Sequence, residues 1–385
     1  MKKRETVYKV INKNHKRIDG YEKVTGRLVF GADQNMYNQL YARTVYSSYP
    51  HAEILNIDTS KAEAVPGFIC SVTAADVPGS NSMFGRFPVL AGKKVKYIGD
   101  GVVVVAAETE QAAEEAASCV SIEYRELPAL LSVEEALAED APRIHADADG
   151  NMIDFAHHKM RLGDVEKGFK EADFILEQKY STGFAYNGYI EPEAVIVYPD
   201  PSRQGIVIQG TIQNPYNIRE CVAEALAVRM NQVRVIQSAI GGSFGGKDES
   251  MIVMSARCAL VALKTRRPVK MVLTREQSFL ESANRHPYYS HYKLGAGKDG
   301  TIFALEDCIY AQGGPYNKQA MFVNWRGSVH AAGPYRIPHV KTDIYGVYTN
   351  TVFGGAYRGF SAPQIVFAVE SLIDGLAEIC GKNPL

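Results

Sequence analysis

The stretch Gly241 to Glu249, GGSFGGKDE, sets four glycines around one phenylalanine within nine residues. Glycine at this density packs nothing and loses the most backbone entropy on folding, so it stands where a chain must turn tightly or approach another group closely. The preceding Val233 to Gln237 (VRVIQ) alternates as a buried strand does, and Glu249 to Lys264 carries apolar residues at helical spacing. The expected local order is strand, Gly-rich loop, helix, with loop amides free to face an anion near the helix start. Gly241, Gly246 and Lys247 also satisfy the GxxxxGK spacing of a nucleotide-binding P-loop. Asp248 then stands where that motif needs a Ser or Thr hydroxyl for magnesium, and its carboxylate repels a triphosphate. A Gly-rich turn without a ligand is the third reading of the same residues.

At 385 residues the chain has length for two or three domains. Its 42 basic and 43 acidic residues leave a net charge of -1, which gives no electrostatic footprint for nucleic acid or an anionic membrane. The basic start, Lys2, Lys3 and Arg4, runs into Asn12, Lys13 and Asn14 where a signal peptide needs an apolar run, and no stretch nears the eighteen apolar residues of a membrane span. A cytoplasmic location is expected. The six cysteines form no CxxC pair, which argues against zinc, an iron-sulfur cluster or a disulfide framework and leaves most of them as small buried hydrophobes.

Residues 1–19 read as a basic N-terminal arm and residues 20–145 as a first domain of mixed strand and helix. Within that domain Leu40 to Tyr46, Ile69 to Thr73, Val102 to Ala107 and Val120 to Tyr124 are β-rich, and Glu110 to Cys119 has amphipathic helical spacing. Residues 146–161 read as a linker, and residues 162–385 as a second domain. There Asp164 is placed to cap a short helix, and five strands are expected, at Phe174 to Tyr180, Ala194 to Tyr198, Gly205 to Gln209, Val233 to Gln237 and Val269 to Leu273. Tyr289 to Ala296 and Thr301 to Tyr310 flank Lys298, Asp299 and Gly300 as a hairpin, and a helix runs from about Val366 to Ile379. The pair His157 and His158 falls in the linker and reads as a solvated edge. No HxxxH or HxxE spacing supports a protein-ligated metal.

Two further motifs accompany the Gly-rich loop: Gln213, Asn214, Pro215 in GTIQNP upstream, and Gly354 to Gln364, GGAYRGFSAPQ, downstream. This trio resembles the molybdenum-binding subunit of the xanthine dehydrogenase and aldehyde oxidase family of molybdenum hydroxylases. YPHAEI from Tyr49, YIGDGVVVVAAET from Tyr97 and IEYRELP from Ile122 look like that family's N-terminal domain. The resemblance implies an α+β protein, an α/β-hammerhead domain followed by the first part of a molybdopterin-binding domain.

It also implies a cofactor, molybdenum on molybdopterin in its plain or cytosine dinucleotide form, that oxidises an electron-poor carbon with water as oxygen source. By the match, Gln213 would hydrogen-bond the metal's oxo ligand as an outer contact, and Gly242, Phe244, Gly245, Gly246 and Arg358 would hold the cofactor, the glycines because a Cβ blocks backbone approach. Arg326, Phe360 and Asp248 would face the substrate: Arg326 where purine oxidisers place a polarising arginine, Phe360 as an aromatic wall, Asp248 in place of a longer glutamate. Each has a structural alternative. Gln213 serves equally as a strand-end amide, Arg326 as a stack on Trp325, Phe360 as a core residue, Arg358 as an ion-pair partner and Asp248 as a carboxylate facing a helix dipole. Glu191 lies in a shared strip without being the family's base.

In the family this half continues for several hundred residues beyond the equivalent of Leu385, and the remainder carries the catalytic glutamate. The resemblance therefore implies no catalytic base in this chain, and a second molybdopterin-binding polypeptide alongside it. An iron-sulfur subunit and an FAD subunit would carry the electrons onward. A truncated remnant or a cofactor-site scaffold without turnover is the alternative.

Overall fold

The computed structural model describes residues 8–83 and 86–384. The basic start, Lys2 to Arg4, lies outside the described residues. Fifteen strands occur among them. They are β1 Leu40–Tyr46, β2 Ala52–Asp58, β3 Phe68–Val72, β4 Lys94–Val95, β5 Gly101–Ala107, β6 Ser121–Glu126, β7 Met152–Leu162 and β8 Phe174–Thr182. The rest are β9 Ala194–Asp200, β10 Gly205–Gly210, β11 Val233–Gln237, β12 Val269–Val272, β13 Tyr288–Ala296, β14 Ile302–Gln312 and β15 His339–Val347. The largest sheet has the order β11-β10-β9-β12-β1-β5-β3, the second β7-β15-β14-β13-β8, and the third β4-β2-β6. Mixed helices and strands in this arrangement are the expected α+β class.

The largest sheet crosses the boundary expected from sequence. β1 pairs in parallel with β12, Leu40 opposite Val269, and antiparallel with β5, so strands from residues 20–145 extend a sheet begun by the second domain. β5 (GVVVVAA) is buried throughout. Its Val104 and Ala106 enter the core around helix Glu249–Thr265, while Val103, Val105 and Ala107 enter the core under helix Glu110–Cys119. A strand covered on both faces reads as an unbroken apolar run, which is what its sequence shows. Helix Glu249–Thr265 is buried from Glu249 through Ala262, as a helix apolar on every side must be.

The second sheet carries helix Ala362–Ile379. Ile365, Ala368, Val369, Leu372 and Leu376 recur at helical spacing and pack against Tyr292 and Leu294 of β13 and Leu305 and Ile309 of β14. Asp164 caps its short helix as expected, accepting from the amides of Glu166 and Lys167, and Gly300 supplies the hairpin turn with φ +82°.

Two expectations need correction. Most of the 146–161 linker is strand: β7 forms an edge of the second sheet, antiparallel to β15, with Ile153 and Ala156 turned inward. Exposed Met152, Phe155 and Leu162 mix with exposed Asp154, Lys159 and Arg161, and the register against β15 shifts between Ile153 and His158, so no alternation shows in the sequence. His157 is no solvated linker residue either, since its ring stacks on Tyr345 at 4.1 Å with Asp343 at 3.3 Å. Among the cysteines only Cys221 and Cys258 are buried; the other four are half-buried.

Candidate cofactor site

The three motifs distant in sequence meet at the seam between the two larger sheets. Gln213 lies between β10 and helix Pro215–Ala225, where Asn214 caps the helix and Pro215 opens it. Its amide donates to the Lys247 carbonyl at 3.0 Å. Its side-chain Oε1 accepts from the Ser243 hydroxyl and from the Gly245 amide at 3.2 Å. Two donors on the oxygen fix the orientation of the carboxamide and leave its Nε2, on an exposed residue, to donate outward.

The loop of residues 354–360 closes the other side. The Arg358 amide donates to the Phe244 carbonyl at 2.9 Å, and Asn187 Nδ2 bridges the carbonyls of Phe244 (2.9 Å) and Ala356 (3.3 Å). Arg285 braces the same turn from behind, donating to the carbonyls of Phe360 (2.6 Å) and Arg358 (2.9 Å) with its guanidinium 3.9 Å from the Tyr357 ring centroid. Asn187 and Arg285 escape a sequence reading. Their partners lie more than 55 residues away, so no local spacing betrays them.

The fold itself also requires glycine in the Gly-rich loop. A Cβ on Gly245 would strike the Ala356 carbonyl, and one on Gly246 would strike Tyr189 and Asn187. These positions let the two loops touch each other. Gly242 and Gly245 also hold φ near +100°, which only glycine adopts without strain. Phe244 and Phe360 hold φ of +54° and +50°, a conformation bulky side chains rarely take, and both sit at the meeting point of the loops.

Nor are the loop amides all free. Gly241 donates to Glu191 Oε2 (2.6 Å), Gly246 to the Ser243 carbonyl (2.9 Å) and Lys247 to Ser243 Oγ (3.3 Å). Among the described residues the amides of Gly242, Ser243 and Phe244 alone in this loop core, residues 241–247, donate to nothing. Lys247 is fully buried, its ammonium 2.8 Å from Glu191 Oε2 and 4.9 Å from the Tyr189 ring centroid. A lysine turned into the core cannot reach phosphates above the loop, so the P-loop spacing has no nucleotide chemistry behind it here. Glu191 is the anchor of this arrangement, since it also accepts from the Gly31 amide.

Asp248 is buried, 6 % exposed, with Gln319 Nε2 donating to its Oδ2 at 3.3 Å and its Oδ1 unpartnered. Burial raises its pKa to about 6, against a lowering contact from Asn214. Beside it Glu249 is sealed under Gly355, and burial, reinforced by the charge of Asp248, pushes it well above the carboxylate range. Gln319 also stands immediately before helix Ala320–His330, which carries Arg326. The same helix is tied midway to the residue after Phe360, because Ser361 Oγ donates to the Val323 carbonyl at 2.8 Å. Arg326 is exposed, 5.2 Å from the Trp325 ring centroid, and no carboxylate among the described residues pairs with it. All nine expected site residues thus belong to one set of interlocked elements. Asp248 is the one whose side chain the fold encloses.

Comparison with known proteins follows this geometry. Residues 25–128 match the aldehyde oxidase and xanthine dehydrogenase a/b hammerhead domain, and residues 144–385 match the molybdopterin cofactor-binding domain. The chain belongs to the xanthine dehydrogenase and aldehyde oxidase family of molybdenum hydroxylases. It is 38% identical over 382 residues to the nicotinate dehydrogenase large molybdopterin subunit of Eubacterium barkeri, covering 98% of this chain and 88% of that one. To a probable xanthine dehydrogenase polypeptide of Bacillus subtilis it is 39% identical over 381 residues, covering 98% of this chain and 50% of the relative. The aldehyde oxidoreductase of Desulfovibrio gigas superposes with a TM-score of 0.91 at 31% identity, over 96% of this chain and 42% of that structure. The chain thus spans most of one relative and half or less of the other two. Among the described residues, no helix is long and apolar enough to cross a membrane.

Proposed function

We propose that this chain is the molybdopterin-holding subunit of a multi-subunit, cytoplasmic molybdenum hydroxylase acting on a purine- or nicotinate-like heteroaromatic ring or an aldehyde. The observation that carries the reading is the Gln213 carboxamide, locked through its oxygen by Ser243 and Gly245 so that its amide group points out of the protein. With the unengaged amides of Gly242, Ser243 and Phe244 it makes a neutral, donor-rich cradle, which suits a pterin-held metal bearing anionic ligands. Gln213, Gly242, Phe244, Gly245, Gly246 and Arg358 would hold the cofactor, in its plain or cytosine dinucleotide form. When bound, that group supplies the two-electron oxidation of a carbon, with water as the oxygen source.

This chain's part is to orient and to stabilise charge. Arg326, exposed and without a carboxylate, can meet negative charge growing on a ring or its carboxylate, and Phe360 offers a ring face for stacking. Asp248 is enclosed, so its part in recognition would pass through Gln319, which donates to its Oδ2. The base is assigned to another polypeptide, because the neighbouring carboxylates are committed. Glu191 pairs with Lys247, Glu193 accepts from Tyr189 and Ser278, Glu249 is sealed and Asp248 is enclosed. A second molybdopterin-binding polypeptide would bring it, and iron-sulfur and FAD subunits would take the electrons. The name of the Eubacterium barkeri relative, a large molybdopterin subunit, supports such a division. Gln213→Ala in the native complex tests the reading: molybdenum content or turnover should fall while the fold stays intact, and full loading with unchanged turnover refutes it.

A further inference from the structure

A cavity of about 580 Å³ is lined by residues between Arg86 and Lys96, by Asn81 and Ser82, and by residues 143–147, with Tyr316 in its wall, and it shares no residue with the cofactor loops or Gln213. Five cationic side chains line it, Arg86, Lys93, Lys94, Lys96 and Arg143, against the single carboxylate of Asp147. In a chain whose net charge is -1 this is a marked local excess. Asp147 is taken by Arg86, and Lys94 lies 3.8 Å from Glu53. Lys93, Lys96 and Arg143 have no ion-pair partner among the described residues.

Lys96 is the informative member. Its ammonium lies 5.4 Å from the Tyr316 ring centroid, and burial lowers its pKa. Asp100, the carboxylate that most favours its charge, already accepts from the Tyr316 hydroxyl (2.7 Å) and the Lys96 amide (3.0 Å). A partly desolvated cation without a counter-ion costs the fold free energy, and an anion in the cavity removes that cost. Arg143 uses one nitrogen on the Ala148 carbonyl (3.1 Å) and keeps other donors for a planar two-oxygen contact. The volume falls in the range that encloses a small molecule.

We propose that this cavity binds a small molecule bearing at least two negative charges, a phosphate ester or a polycarboxylate, with Lys96 and Arg143 as its principal contacts. Isothermal titration calorimetry tests this on the full chain, purified with whatever accompanies it, using pyrophosphate and citrate as probes in low and high KCl. Saturable one-to-one binding that weakens with salt is expected. Lys96→Gln and Arg143→Gln should each weaken it about tenfold, while Lys298→Gln, an exposed lysine of the hairpin turn, should leave it unchanged. The tighter probe identifies the source of the charge. Absence of binding by both probes at millimolar concentration overturns the proposal, as does an equal loss in all three variants. It is also overturned if the cavity variants bind both anions normally but lose a co-purifying polypeptide. Should Lys96→Gln fail to fold, Arg143→Gln decides alone.

Discussion

Replacing Asp248 by Asn separates the cost of this residue to the fold from its use to the site. Burial raises its pKa from 3.8 to about 6. Well below 3.8, at about pH 3, the carboxyl is protonated both folded and unfolded, and it contributes nothing to the pH dependence. Between pH 3.8 and about 6 the unfolded chain ionises this group while the folded state keeps it protonated, so stability is lost across that window and levels off above it. At pH 8 the penalty is complete, about 3 kcal/mol. Asn removes it, because a neutral amide of the same shape carries no charge to desolvate. The variant should therefore unfold roughly 4 °C higher than the parent at pH 8 if the chain melts as one unit, and at the parent's temperature at about pH 3. If Asp248 also orients Gln319 toward substrate, the stabilised variant should have a raised KM, the pattern of a site residue kept at the expense of stability. Calorimetry at the two pH values, with steady-state kinetics on the complex, makes the comparison. A variant no more stable than the parent at pH 8 refutes the burial argument.

Three other outcomes are expected. Gly245→Val should lose cofactor and also melt lower, because it strikes the Ala356 carbonyl and forces a branched residue to φ +106°, whereas Gln213→Ala should lose loading or turnover with its melting curve unchanged; molybdenum analysis beside calorimetry separates the two. Arg326→Met should cut turnover by about a hundredfold with normal metal content and melting, since the side chain is exposed and its role is to meet developing charge; unaltered kinetics with every accepted substrate would leave only the contact with Trp325. Lys247→Met should destabilise by about 3 kcal/mol in denaturant by stripping Glu191 of its buried partner, and ATP should not protect the parent against unfolding; protection by ATP would restore the P-loop reading.

Much of this fold is legible where local pattern and final environment agree. β1, β11 and helix Glu110–Cys119 appear at the residues their periodicity marks, and Asp164 and Gly300 act as cap and turn because their chemistry is local. β7 is hidden because apolar and charged residues mix on its exposed side and its register against β15 shifts, and helix Ala320–His330 because a wide exposed face bearing Phe322, Trp325 and Val329 blurs its stripe. The site divides in the same way. Glycine density exposes the loops, and the loops carry the family resemblance. What sets their distance from one another, Asn187, Arg285 and Glu191, depends on contacts across the whole chain, and so does the enclosure of Asp248.

The central claim is that this chain holds the cofactor while another polypeptide supplies the base. It is tested most directly by separating the native complex into its polypeptides and measuring molybdenum, pterin and hydroxylase activity in this chain alone, in its partners alone and after recombination. Activity should be absent from each fraction and return on recombination, with Gln213→Ala failing to restore it. A lone polypeptide that is monodisperse, loaded with molybdopterin and active would contradict the account.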